Sequence, residues 1–511
     1  MPKTPSNKLF RLIKSLSGSE KRYFKLFVHN GKTGKENKYI QLFDAIEAQE
    51  VFDESMLKQS IYADAPIESR KYSELKSYLY DLILKSLQAF DEKTSVDFRL
   101  KNMLQGVRVL YKRMLFEDCK DLLQKAKKLA YRFEKFNAIL EILEWEKQIA
   151  YAKSDIDYLN KNLPQIEEEE GLCQAKIAEI LKLRNLFLEF LLALRMDALR
   201  KKQRRTALEK EVQDLQIEDA DQLQSHRAKI WYYRVMSGYH YLTNNSQDFY
   251  LANKQLVTLL ESAPALLNED LTEYISVLSN LTMSSGKMGK YEEVELYLKK
   301  LKKLKPKTID DELKIHRQYY TNKFRLCIMK GDFELGLQEL ENHFREVRKF
   351  DSRLFERSVF YFQYFYIYFG TGQYEKALDY LNQWLNQPKT VERQDLQSLA
   401  RILNLILHYE MGNALLLESL LRSTYRFLNK RNRLHEFERK MVGFIREAIQ
   451  LQSKKEVRKL MEELKREFKS LSLNGTEKAM LQLFDIEAWL DSKISHQSFA
   501  EVVRLKYEGK F

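Results

Sequence analysis

Gly372-Gln373-Tyr374-Glu375-Lys376-Ala377 is the stretch whose reading decides the fold. A glycine stands two positions ahead of an aromatic, and the aromatic opens an apolar stripe that continues through Ala377, Leu381 and Trp384 at helical steps. Ahead of it lies the aromatic segment from Phe360 to Phe369. The same punctuation recurs at Gly331-Asp332-Phe333 and Gly289-Lys290-Tyr291, and in weaker form at Gly412-Asn413-Ala414. The four glycines follow one another at intervals of 42, 41 and 40 residues, the near-constant period expected of helical hairpins laid one upon another.

Composition agrees with growth by repetition. The chain has 511 residues but only 16 Gly and 7 Pro, so long uninterrupted elements should dominate. Charged residues, 31% of the chain, recur at helical spacing throughout, which predicts an all-α protein. Cys119, Cys173 and Cys327 are widely separated and odd in number, so they form neither a disulfide framework nor a zinc-ligand pattern and read as small buried hydrophobes. The N-terminus, Met1-Pro2-Lys3-Thr4-Pro5-Ser6, lacks the apolar core of a signal peptide. The most apolar window, Leu186 to Leu194, contains Glu189 and is far short of the roughly 20 residues a membrane span needs. The expectation is a soluble cytoplasmic protein without membrane contact.

Net charge is +13, from 86 basic and 73 acidic residues. Ten of the cations lie at or before Lys38, against Glu20 and Glu36 alone, so the N-terminal end carries a local basic field suited to an acidic partner or a phosphate backbone. Residues 1–92 read as a distinct basic helical unit. Leu9 to Leu16 and Tyr23 to Phe27 form two apolar stripes, with Ser19 expected to cap the second helix. Tyr39 to Ile46, Met56 to Ile61 and a long stripe from Tyr72 to Leu87 follow. The polar loop containing Gly31-Lys32-Thr33 is not a phosphate-binding loop, because no glycine stands five residues before either Gly-Lys pair and no strand precedes it. A short helix, a turn and a longer helix carrying Lys58, Arg70, Lys71 and Lys76 read either as a helical cap or as a helix-turn-helix-like unit offering those four residues to nucleic acid.

Residues 93–224 read as divergent helical hairpins. Met114-Leu115-Phe116 makes the first corner, Phe136 to Ile149 supplies another helix, and Pro164 with Glu167 to Glu170 predicts an exposed connection before a helix from Ala175 to about Arg205. Residues 225–430 hold the clear copies, beginning with a turn at Asn244-Asn245 and closing individual units at Pro306 and Pro388. In residues 431–511 the motif fades into a helical C-terminal cap.

The Gly-x-aromatic corners Gly289/Tyr291, Gly331/Phe333 and Gly372/Tyr374, the small residue Ala377 three after Tyr374, and the closing prolines together resemble tetratricopeptide repeats of bacterial type. The resemblance covers residues 225–430 well and 95–160 loosely. It implies an α-solenoid of antiparallel helix pairs that presents a peptide-binding groove. The period of 40 to 42 exceeds the family's 34, and Gly412 lacks its aromatic, so altered curvature is expected and a peptide-carboxylate clamp is not implied.

No sequence motif for catalysis emerges. The eight histidines show no ligand spacing with one another or with cysteine, and there is no His-Glu-x-x-His, Gly-x-Ser-x-Gly or dinucleotide-binding glycine triplet. No enzyme activity, cofactor or metal is expected. Tyr361, Tyr364 and Tyr368 share one helical face and Phe362, Phe365 and Phe369 another, so one set is expected in the core and the tyrosines in a groove. Arg422, Arg426, Lys430, Arg431 and Arg433 form a basic stripe able to meet acidic segments or phosphates. The expectation is a scaffold that binds a protein or peptide partner; the alternative is a nucleic-acid-associated regulator contacting DNA or RNA through residues 1–92.

Overall fold

The computed structural model describes residues 6–29, 38–62, 69–92, 95–195, 202–217, 219–350, 360–386, 394–430, 435–471 and 483–510. Among the described residues there are 25 α-helices and no strand. No helix among them is long and apolar enough to cross a membrane. The chain divides into two compact units, Met1–Ile177 and Ala178–Phe511.

The first unit opens with α1 (Lys8–Ser15), α2 (Gly18–His29), α3 (Lys38–Ala48), α4 (Glu54–Tyr62) and α5 (Ser69–Asp91). Helix α5 packs against α1, α2 and α3, and Ile13, Phe24, Phe43, Leu79 and Ile83 are sealed between them. The cap of α2 is Ser17 rather than Ser19: the Ser17 N–H donates to Glu20 Oε2 at 2.6 Å and its Oγ accepts from the Glu20 N–H at 3.3 Å. Starting the helix two residues earlier lets Glu20 reach back and complete the exchange. The loop at residues 31–35 lies outside the described residues.

Helices α6 (Val96–Tyr111), α7 (Phe116–Arg132), α8 (Phe136–Ala152) and α9 (Ile156–Arg195) are joined by three alike corners. Met114, Glu134 and Ser154 each adopt left-handed backbone angles, with φ of 58°, 49° and 53°. The next N–H in each case reaches back across the last helical turn: Leu115 N to Leu110 O, Lys135 N to Ala130 O and Asp155 N to Ala150 O, at 3.1, 2.8 and 2.9 Å. This bond satisfies a carbonyl that the helix end leaves open and turns the chain back on itself.

Pro164 does not break the chain here; it lies inside α9, which continues to Arg195. Proline removes one backbone donor, but tertiary ion pairs hold the helix past it. Glu169 Oε2 lies 3.0 Å from Lys127 Nζ on α7, and Glu170 Oε1 lies 2.8 Å from Lys147 Nζ on α8. The expected exposed connection is therefore the docked face of a helix; of the four glutamates only Glu167 and Glu168 are exposed.

The second unit continues through α10 (Lys202–Gln213), α11 (His226–Leu242), α12 (Ser246–Ser262), α13 (Pro264–Glu269), α14 (Thr272–Lys287), α15 (Tyr291–Lys303), α16 (Ile309–Lys330), α17 (Phe333–Val347), α18 (Phe360–Gly370), α19 (Tyr374–Leu385), α20 (Gln394–Glu410) and α21 (Ala414–Lys430). It ends with α22 (Glu436–Ala448), α23 (Lys454–Leu471), α24 (Ile486–Ser495) and α25 (Phe499–Tyr507). The corner seen in the first unit returns at Asn244, Gly289, Gly331, Gly372 and Gly412, with φ between 58° and 74°. Each again carries the long back-bond, for example Gln373 N to Tyr368 O at 2.9 Å and Asp332 N to Cys327 O at 2.9 Å. Beyond their own hairpin partners, several first helices pack on the next first helix: α14 on α16, α16 on α18, and α20 on α22. Asp311 serves as a cap, since Thr308 and Asp311 exchange side-chain-to-backbone bonds at the start of α16.

The C-terminal helices do more than close the end of the chain. Helix α25 runs back to the corner at Gly331, so close that an added Cβ there would lie 2.6 Å from Arg504 N and 2.9 Å from Ala500 O. Tyr507 meets the Tyr291 ring at 4.6 Å. Phe499 sits among Phe333, Phe369 and Phe484 at 5.8, 5.3 and 5.7 Å. The Tyr366 hydroxyl accepts from the Asp485 N–H at 2.9 Å, and Trp489 Nε1 donates to Glu410 at 2.6 Å, so residues far apart in sequence share one core.

Candidate functional site

Consecutive hairpins of the second unit are linked by polar side chains about one period apart. Asn322 Nδ2 donates to Ser279 Oγ at 2.8 Å, Arg234 Nη1 to Ser276 Oγ at 2.7 Å, and Gln363 Nε2 to the Thr321 carbonyl at 2.8 Å, with separations of 43, 42 and 42 residues. Ser279 Oγ donates to Gln318 Oε1 at 2.7 Å, and Asn280 Nδ2 donates to Asn253 Oδ1 at 3.1 Å. The result is a polar ladder across α11, α12, α14, α16 and α18. Ser237, Asn253, Asn322 and Gln363 are all buried in it, and each has at least one hydrogen-bond partner, as burial of a polar group requires.

Apart from Gln363, helix α18 is aromatic or apolar on every side and is largely buried accordingly. Phe365 and Phe369 are core, as is Tyr364, at 5% exposure. The expectation that Tyr364 lines a groove is therefore corrected: its hydroxyl bonds His343 Nε2, and Phe324, Phe344 and Phe360 surround its ring. Tyr361 and Tyr368 are half-buried and flank Tyr380, whose ring lies 6.3 Å from the first and 5.6 Å, nearly parallel, from the second. These three tyrosines keep part of their surface available.

Behind them runs a polar chain that sequence spacing does not disclose. Glu346 Oε2 lies 3.4 Å from His316 Nδ1, His316 Nε2 lies 3.0 Å from His343 Nδ1, and His343 Nε2 meets the Tyr364 hydroxyl. A carboxylate only accepts, so His316 Nδ1 carries the proton, His343 Nδ1 must donate to His316 Nε2, and Tyr364 donates to His343 Nε2. Burial holds both imidazoles well below the ordinary histidine range; Glu346 partly opposes this at His316, whereas at His343 the neighbouring His316 adds to it. The two histidines are 27 residues apart on facing helices, and only the hairpin brings them together.

Arg422 and Arg426 are exposed on α21, where Arg426 Nε donates to the Arg422 carbonyl at 3.3 Å. Arg433 and Arg431 lie outside the described residues. In the first unit, Lys58 and Lys76 share Glu54, at 3.6 Å for Lys58, and both ammonium groups stand over the Tyr72 ring. Arg70 pairs with Glu74 at 3.0 Å, and Lys71 is also engaged. Lys58 and Lys76 are thus committed to a partly enclosed pairing with Glu54 and Tyr72, whereas Arg70 and Lys71 stay exposed. The three cysteines are buried, and burial raises each thiol, Cys327 to about 12, which keeps them protonated and weakly nucleophilic. Among the described residues no group of three His, Cys, Asp or Glu is placed to hold a metal ion.

Comparison with family models, with curated proteins and with solved structures finds no match to this chain.

Proposed function

We propose that the chain is a non-enzymatic cytoplasmic scaffold, a tetratricopeptide-like α-solenoid that binds a protein or peptide partner. The observation that carries this reading is the recurrence of one corner together with side-chain bonds about one period apart, as in Asn322 to Ser279. A hairpin cannot bury its own apolar stripe, so stacking follows from the sequence, and stacking leaves continuous flanks free for docking.

The partner surface includes Tyr361, Tyr368 and Tyr380, whose rings present apolar bodies with polar tips, and the exposed Arg422 and Arg426. The test is cross-linked partner capture by the wild-type chain and by a Tyr361→Ala, Tyr368→Ala variant with an unchanged circular dichroism spectrum. Loss of specific partners supports the assignment. Retention of all of them by the folded variant removes these tyrosines from the binding surface.

The nucleic-acid reading of residues 1–92 has less support, since Lys58 and Lys76 are drawn to Glu54 and Arg70 pairs with Glu74, which leaves less of their charge for a phosphate backbone.

A further inference from the structure

From Ala178 onward, helix α9 has two sides that differ in what covers them. On one, Leu183 packs among Ala220, Leu223, Ala228 and Tyr232, while Leu186, Phe190 and Ala193 pack among Leu208, Val235 and Leu242. Phe190 comes so near α11 that a Cβ added to Gly238 would lie 3.2 Å from it. The helix is therefore held firmly by this side. The opposite side faces water, and it is not polar.

Leu181, Leu188 and Leu192 stand there, 39%, 45% and 49% exposed. They follow one another at steps of seven and four residues, the alternating spacing of a heptad seam. Leu181 and Leu188 take position d, Leu192 takes position a, and Asn185 and Ala178 take the two preceding a positions. A single exposed leucine needs no partner, but three on one heptad stripe form a contiguous apolar seam. Asn185 is exposed within it and makes no side-chain hydrogen bond among the described residues.

The residues that flank the seam say what fits it. Arg184 stands at position g and Glu189 at the following e; both are exposed, and neither forms an ion pair among the described residues. In two parallel helices, position g of one faces position e of the next heptad of the other, so Arg184 of one copy meets Glu189 of a second copy. Twofold symmetry makes that contact twice. Asn185 then opposes Asn185, and the two amides bond to each other across the seam. In an antiparallel pair Asn185 would lie against Leu188 with its amide unpaired, at a desolvation cost. Charge and amide thus agree on the same occupant.

We propose that Leu181, Asn185, Leu188 and Leu192 pair with the same stripe of a second copy of this chain, as a short parallel coiled coil. The seam spans about two heptads, so the dimer is concentration-dependent rather than permanent. It does not depend on the tyrosine surface, which α18 and α19 supply.

The test is sedimentation equilibrium of the full chain over a range of concentrations, where the mass should rise from the 61.0 kDa monomer toward twice that value. Leu188→Glu puts two carboxylates into the seam and should raise the dissociation constant about tenfold or more. Because Leu188 is exposed, that variant should keep the wild-type circular dichroism spectrum. Arg184→Glu and Glu189→Arg should each weaken the dimer, and the double variant should restore it. An antiparallel pair would set Glu189 against Lys182 instead, and the double variant would not recover. Leu415→Glu, at a leucine 95% exposed on α21, should leave the dimer intact. The proposal is overturned by a monomer at every concentration, by a dimer that Leu188→Glu leaves unchanged, by equal loss in Leu415→Glu, or by failure of the double variant to recover.

Discussion

Replacing Gly331 with alanine separates two roles of glycine that the corner motif alone runs together. At Gly372, φ is 74° and an added Cβ meets nothing within 4 Å, so Gly372→Ala carries only the left-handed backbone cost of about 1–2 kcal/mol. At Gly331, φ is 68° and the same cost applies, but the Cβ would also fall 2.6 Å from Arg504 N and 2.9 Å from Ala500 O. Those are backbone atoms of α25, which no rotamer change can move aside. Either the corner distorts or α25 lifts, and lifting it begins to expose Phe499, Val502 and Val503, all buried. Burial of each such side chain stabilises by about 1.5–3 kcal/mol. Gly331→Ala should therefore cost about 3–5 kcal/mol in total, with the excess over Gly372→Ala arising at α25. Urea denaturation gives the comparison, and amide exchange at residues 499–507 locates it: protection there should fall in Gly331→Ala and stay unchanged in Gly372→Ala. Truncation before Phe499 should bring the two costs together. Equal costs in the full-length chain, or unchanged exchange in α25, would refute the close approach.

Gly370→Ala should also destabilise strongly, by about 1–3 kcal/mol or more from overpacking, because its Cβ would lie 2.2 Å from the buried Phe333 ring; thermal melting checks this. The His316–His343 chain predicts acid sensitivity. Folded-state pKa values held below the ordinary 6.5 leave the unfolded chain binding more protons, so this contribution is complete above about pH 6.5 and is lost as pH falls toward the folded pKa of His316, about 4. A drop of that size at His316 is worth about 3 kcal/mol, so melting of wild type and of His316→Gln should converge between pH 6.5 and 4; parallel curves would remove the histidine from the account. Glu410→Ala should cost about 3–5 kcal/mol in urea denaturation, since it strands Trp489 Nε1 and Lys493 Nζ, both bonded to a carboxylate only 5% exposed. Lys58→Ala with Lys76→Ala should leave any salt-dependent DNA or RNA affinity of the full chain unchanged, and a smaller salt slope would revive the nucleic-acid reading.

The sequence discloses a turn where the left-handed residue is glycine or asparagine, and less where another residue bears the strain. Gly289, Gly331, Gly372, Gly412 and Asn244 stand out because their types favour positive φ, and Met114 because apolar stripes flank it. Glu134 and Ser154 occupy the same conformation without announcing it; only the 20-residue rhythm of α6 to α9 places them. Pro164 misleads because local preference yields to the ion pairs of Glu169 and Glu170. Helix α18 is legible as buried from its lack of any polar face, yet which of its tyrosines keeps a free edge depends on Tyr380 from the next helix. The His316–His343 pair and the return of α25 to Gly331 join residues whose distance in the chain carries no periodic signal, so neither could be read in advance.

Zero-length carbodiimide cross-linking of the wild-type chain, read by mass spectrometry, tests the stacking of hairpins most directly. Lys300 lies 2.6 Å from Glu261, Lys330 lies 2.8 Å from Glu295, and, in the first unit, Lys153 lies 2.7 Å from Glu117; all are near the surface and about one period apart. The account predicts amide bonds between these lysines and carboxylates 35 to 39 residues upstream. Cross-links confined to acids within one helical turn of each lysine would contradict it.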